Sequence, residues 1–224
     1  MKKQKLLKFL KPKMSISESL AIVGSSKSIL KKEFGREIDS HQDVIRFNRS
    51  QVKNFEKFVG SKTTVRFVNN PVFECCQSWD NDDPQDINFV KLLTNIKIAV
   101  ISPHKIEDNN KRSSYIPSNQ YFFLENQILK YVCIFYFFYK IDILKDLLRL
   151  LFQKKTFSVG FSTILLCIIS GIKPALFGFD LSEDMNSRSH YWEVPKKPGE
   201  RHNLNFEHII IKKFADSELV ILKE

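Results

Sequence analysis

Ala21–Arg49 reads AIVGSSKSILKKEFGREIDSHQDVIRFNR. A short apolar run (Ala21, Ile22, Val23) leads into a tight polar loop of Gly24, Ser25 and Ser26. A stretch compatible with a helix comes next, and then a second run through Val44, Ile45, Arg46, Phe47 and Asn48. Strand, loop, helix and strand in this order predict the first unit of an open α/β sheet. In such a unit the loop after the first strand lies at the carboxyl edge of the sheet. Small residues there let backbone N–H groups approach a phosphate or a ribose. Taken alone, Gly24, Ser25 and Ser26 fit equally an ordinary turn with an N-cap.

Working outward, Thr64–Val68 and Ile96–Ile101 read as further strands, the second rich in β-branched residues and stopped by Pro103. Gln77–Gln85 has turn chemistry, and Ile106–Tyr121 is polar enough to read as a mobile loop. Leu124–Leu151 carries apolar residues at helical steps together with many aromatics, which predicts a core-facing helical pair. The same aromatics would alternatively present an apolar patch to a lipid-linked acceptor or a membrane. Phe157, Ser158, Val159 and Gly160 open a long apolar helix, and Ala175–Asp180 is a strand interrupted by Gly178. The chain closes with a helix and a strand at Leu219–Leu222. These elements predict a single Rossmann-like α/β domain over residues 16–224, with a mostly parallel central sheet flanked by helices, after a basic lead-in at residues 1–15.

A net charge of +10 favours an anionic partner, whether a nucleotide, an acidic glycan, nucleic acid or a membrane surface. The lead-in interleaves Leu6, Leu7, Phe9 and Leu10 with six lysines; it reads either as a frayed, solvated segment or as a turn that docks on anionic lipid. No apolar run reaches the roughly 20 residues that cross a bilayer. Cys75, Cys76, Cys133 and Cys167 lack metal-ligand spacing, and Asp82 and Asp83 lie in a polar loop rather than after a strand. No metal or other cofactor is expected.

Val23–Ser26, Gly35–Ser40 and Ile45–Asn48, followed by Val59–Thr64, resemble sialyl motif L of the eukaryotic-type sialyltransferases in order and spacing. Ser158, Gly160 and Phe177–Phe179 resemble motif S; His190, Tyr191, Trp192 and Glu193 resemble motif III; His202 with Glu207 resembles motif VS. The resemblance runs from about residue 20 to 222. It implies a variant GT-A type glycosyltransferase fold and transfer of a sialic acid from CMP-sialic acid to a hydroxyl of a glycan or glycolipid, with inversion and without a metal. By the same resemblance His202 is the general base and His190 the partner of the donor phosphate. Ser26, Asn48, Ser158, Gly160, Gly178 and Tyr191 line the CMP, with Gly24, Ser25, Glu193 and Glu207 in support. Histidine suits both catalytic tasks because its pKa lies near neutrality.

Two departures stand out. The family's luminal members carry a disulfide whose two positions are Leu20 and Gly171 here, which together with the lack of a recognisable signal or anchor predicts a reducing, cytoplasmic setting, on a membrane's inner face, as in a bacterial or viral member. Ser25 replaces the usual asparagine of motif L, which leaves the donor sugar open between sialic acid and Kdo, another acidic ulosonic sugar carried on CMP. A non-catalytic basic module binding nucleic acid or anionic membrane is the reading of a different class; it accounts for the charge and not for the four motifs, so nucleic acid is not expected as a partner.

Overall fold

The computed structural model describes residues 16–69, 96–102, 121–125, 141–152, 157–179, 190–192 and 204–223. Seven strands form one sheet: β1 (Leu20–Val23), β2 (Asp43–Phe47), β3 (Val65–Asn69), β4 (Lys97–Ser102), β5 (Tyr121–Glu125), β6 (Ala175–Phe177) and β7 (Ile221–Lys223). Their order is β5-β4-β3-β2-β1-β6-β7, and every neighbouring pair is parallel. β1 is buried along its whole length, as a parallel strand covered on both faces must be.

Successive side chains of β1 enter different cores. Leu20 and Ile22 join Ile45, Phe47, Val65, Phe67 and Leu176 on one face. Helix α4 (Val159–Ile169) and helix α5 (Leu204–Asp216) cover that face with Phe161, Ile164, Leu165, Ile210 and Phe214. Ala21 and Val23 join Val44, Ala175 and Phe177 on the other, beneath Ile29, Phe34, Ile38 and Val59. Burying each such Leu, Ile, Val or Phe side chain contributes about 1.5–3 kcal/mol. Nine of the 11 residues of α4 are buried, which explains a helix apolar on all sides. Helix α3 (Ile141–Phe152) is tied to α5 by the Lys213–Asp146 ion pair. Among the described residues no helix is long and apolar enough to cross a membrane.

Three expectations change. The helix of the first unit is two pieces, a 3-10 turn at Lys27–Lys31 and α1 (Gly35–Ser40), separated by extended backbone at Lys32. The break lets Phe34 turn inward, edge-on to Phe177 at 5.4 Å. Tyr121–Glu125, assigned by pattern to the end of a loop and the start of a helix, is instead strand β5, paired residue for residue with Ile98–Ser102. A short helix α2 (Glu56–Val59) comes after β2, where no element was predicted. The Gln77–Gln85 loop, most of the Ile106–Tyr121 loop and the first half of the helical pair lie outside the described residues.

Candidate functional site

The strand order reverses direction between β1 and β6, which opens a crevice at their carboxyl ends. Both glycine loops lie there. Gly24, after β1, donates its N–H to Phe177 O at 2.7 Å, and Ser26 donates to Gly178 O at 3.1 Å. A Cβ on Gly24 would stand 2.4 Å from the Gly178 oxygen, so hydrogen is all the seam admits. Gly178 adopts φ +68°, a left-handed conformation that glycine takes without strain. At the start of α4, Gly160 faces the ring of Phe179, which meets Phe47 edge-on at 6.3 Å. Gly24, Ser26, Gly160 and Gly178 thus converge from two regions more than a hundred positions apart.

Residues 190–192 join the same crevice. His190 forms an antiparallel bridge with Ser26, and Tyr191 N donates to Ser25 O at 3.0 Å. His190 Nδ1 lies 2.9 Å from Ser25 Oγ, and the ring stacks on Trp192 with centroids 4.6 Å apart and planes 4° from parallel. Tyr191 goes inward: it is buried, meets Phe55 edge-on at 5.0 Å and donates its hydroxyl to Gln51 O. Burial raises its phenol to about 12, against the opposing pull of Arg46 and Arg66, so Tyr191 is neutral and anchors the strip that carries His190.

Asn48 follows β2 at φ 41°, a left-handed value asparagine tolerates. Its Oδ1 accepts from Asn69 N at 3.0 Å, which fixes the orientation of the side-chain amide. Its carbonyl accepts from Arg66 at 2.8 Å. Arg66 and its register partner Arg46 are 1% and 0% exposed. Arg46 is bound by the carbonyls of Val59, Gly60 and Lys62 and by Thr63 Oγ1, and Arg66 also reaches Ser50. Burial lowers each guanidinium to about 10, and both stay charged at neutrality. Arg66 braces the turn that presents Asn48, and Arg46 braces the Val59–Thr63 turn. Sequence reading placed Arg46 in the motif L stretch without a role and passed over Arg66, because arginine on a strand ordinarily signals a solvent face, and it gave no role to Asn69 or Gln51. The register pairing of Arg46 with Arg66 is visible only once β2 and β3 are aligned.

Asp39, in the Gly35–Ser40 stretch, serves the frame. Burial raises its carboxyl, but hydrogen bonds from Ser61 and Lys62 outweigh that and hold it below its ordinary range. Ser158 caps α4 by accepting from Phe161 N at 3.1 Å, while its own N–H donates to Glu207 Oε1 at 2.7 Å. Burial raises Glu207 to about 7 against the opposing hydrogen bonds from Ser158. Glu207 stands in the first turn of α5, so this contact pins the starts of α4 and α5 together. His202 and Glu193 lie outside the described residues.

The family model of glycosyltransferase family 29 (sialyltransferase) matches residues 2–219. The chain belongs to this family. Over 58 residues it is 43% identical to a β-1,6-galactosyltransferase of Arabidopsis thaliana, a match covering 26% of this chain and 15% of that protein. Over 52 residues it is 48% identical to β-galactoside α-2,6-sialyltransferase 2 of Xenopus tropicalis, covering 23% of this chain and 10% of the relative. The chain therefore aligns with only a small part of the length of these curated relatives. The fold is that of solved sialyltransferases. A mammalian sialyltransferase in complex with Gal-β-1-3GalNAc-ortho-nitrophenol superposes with a TM-score of 0.60 at 18% identity, over 99% of this chain and 78% of that one. CstII from Campylobacter jejuni in complex with CMP-3FNeuAc gives 0.53 at 15% identity, over 91% and 80%.

Proposed function

We propose that this family member is a glycosyltransferase that moves sialic acid from CMP-sialic acid to a hydroxyl of a glycan or glycolipid acceptor. The observation that carries the reading is the meeting of the Gly24–Ser26 loop, the Gly178 turn and His190 at one crevice. Small residues that let a ligand approach the backbone closely suit a nucleotide there, and an imidazole at the rim suits its phosphate. The solved relative holding CMP-3FNeuAc supports a CMP donor, and the one holding Gal-β-1-3GalNAc-ortho-nitrophenol supports a glycan acceptor.

In this mechanism His202 takes the acceptor's proton while the hydroxyl attacks the anomeric carbon from the face opposite CMP, which inverts its configuration. The bond to the phosphate oxygen breaks, and His190 stabilises the negative charge that CMP carries away. No metal is assigned a part. Asn48 and the Ser26 hydroxyl hold the nucleotide. Glu207 and Tyr191 fix the elements around it. The setting is a reducing one, the inner face of a membrane, since Leu20 and Gly171 stand where luminal relatives have bonded cysteines.

Ser25, in place of the asparagine usual in motif L, keeps the transferred sugar open between sialic acid and Kdo. A donor screen with CMP-Neu5Ac and CMP-Kdo, read by CMP release, decides between the two acidic sugars. CMP is expected to raise the melting temperature where AMP and UMP do not, and a chelator to leave turnover intact. Undiminished donor turnover in folded His202→Ala would remove that residue from its role. Salt-sensitive RNA binding with no response to CMP would overturn the enzyme reading.

A further inference from the structure

Ser25 is the position where this chain departs from the family's asparagine, and the structure gives its hydroxyl a partner: His190 Nδ1 at 2.9 Å, across 165 positions of sequence. The two residues are registered by backbone as well, through the Ser26–His190 bridge and the Tyr191 N–H donated to Ser25 O. An exposed imidazole would ordinarily rotate and exchange tautomers. Here the face of the ring is held by Trp192 and its Nδ1 edge by Ser25.

We propose that Ser25 is the positioning residue of His190, holding its ring so that Nε2 carries a hydrogen toward the donor's phosphate in both protonation states. This rests on the phosphate role of His190 in the proposed transfer. A hydroxyl suits the task because it both donates and accepts. A hydroxyl can pair with Nδ1 in either neutral tautomer; the one proposed here has Ser25 donating to Nδ1, which leaves the proton on Nε2. Toward the charged ring it accepts from Nδ1–H, and Nε2 still bears hydrogen. The leaving CMP phosphate thus meets an N–H donor whether or not His190 is charged. An apolar side chain such as alanine or valine holds neither state.

The test compares wild type, Ser25→Ala and the pair Ser25→Thr and Ser25→Val, which share a shape and differ in the hydroxyl. Long-range imidazole 1H–15N spectra of the full chain, with His190 assigned through His190→Gln, report the tautomer directly. Wild type and Ser25→Thr are expected to show the Nε2–H form, and Ser25→Ala and Ser25→Val a mixture of tautomers. With CMP-Neu5Ac as probe, kcat for CMP release should fall about tenfold in Ser25→Ala and Ser25→Val, the effect of one lost neutral hydrogen bond, with KM little changed and Ser25→Thr near wild type. An unchanged tautomer in both hydroxyl-free variants overturns the proposal. So does lost CMP stabilisation with the tautomer intact, which would make Ser25 a direct donor contact. If wild type neither binds CMP nor turns the donor over, the transferase reading falls, while the tautomer comparison still decides whether Ser25 orders His190.

Discussion

Ser26 and Ser158 both cap a helical start with nearly the same backbone, φ −65° and ψ 145° against φ −64° and ψ 157°. Their surroundings differ. The Ser26 oxygen accepts from Ser28 N and Ser28 Oγ at 3.2 and 3.1 Å, in a partly exposed loop opening a five-residue 3-10 turn. The Ser158 oxygen caps a buried helix of 11 residues, and its N–H is held by a buried carboxylate. The same cap therefore opens a short, partly exposed turn at Ser26 and a long buried helix of the frame at Ser158. The local motif does not distinguish them; the length and burial of the capped helix do.

The largest effect is expected where both halves meet. Gly24→Ala sets a Cβ 2.4 Å from a backbone oxygen and should cost about 3 kcal/mol in chemical denaturation, because neither strand end can yield without losing its pairing. Unfolding at the wild-type denaturant concentration would show that the seam is not tight.

Glu207 comes next, through pH. A carboxyl raised from 4.5 to about 7 binds its proton more tightly in the folded chain than in the unfolded one. Its stabilising contribution is thus fully present below about pH 4.5 and is lost as pH rises toward 7. Relative to Glu207→Gln, whose amide does not titrate, wild type should lose on the order of 2–3 kcal/mol across that window. A stability difference that stays flat from pH 4.5 to 7.5 would mean that burial does not hold the proton.

Ser158→Ala removes the cap of α4 and a partner of Glu207 and should cost about 1–2 kcal/mol, while any residual CMP-induced rise in melting temperature tracks the loss of the fold. Ser26→Ala should cost about 0.5 kcal/mol, at the low end for a cap, because its helical turn is short and partly solvated. Its expected signature is instead a smaller CMP-induced shift in melting temperature. Exchanging these two outcomes would reverse the division between the cap at Ser26 and the frame at Ser158.

β1, β2, β3, β4 and β6 were legible as apolar runs because a strand buried on both faces needs no alternation. β5 was not, since Tyr121–Glu125 is five residues wedged between a polar stretch and an aromatic one with helical spacing. In the crevice, the Gly24–Ser26 loop, Gly178 and His190 were named from sequence and meet there, while His202 lies outside the described residues. The bracing of the site was hidden: Arg46, Arg66 and Gln51 look like surface residues until the strands align and Tyr191 is seated against Gln51.

Composition, periodicity and turn chemistry are local properties, and they by themselves determined the α/β class, the two glycine-bearing loops after strands and the caps at Ser26 and Ser158. Tertiary structure alone decided that β6 lies beside β1, that Ser25 meets His190, and that Glu207 is neutral or charged near pH 7. Strand adjacency is a long-range choice, and a carboxyl's charge depends on how completely its neighbours exclude water; neither is written in the residues on either side.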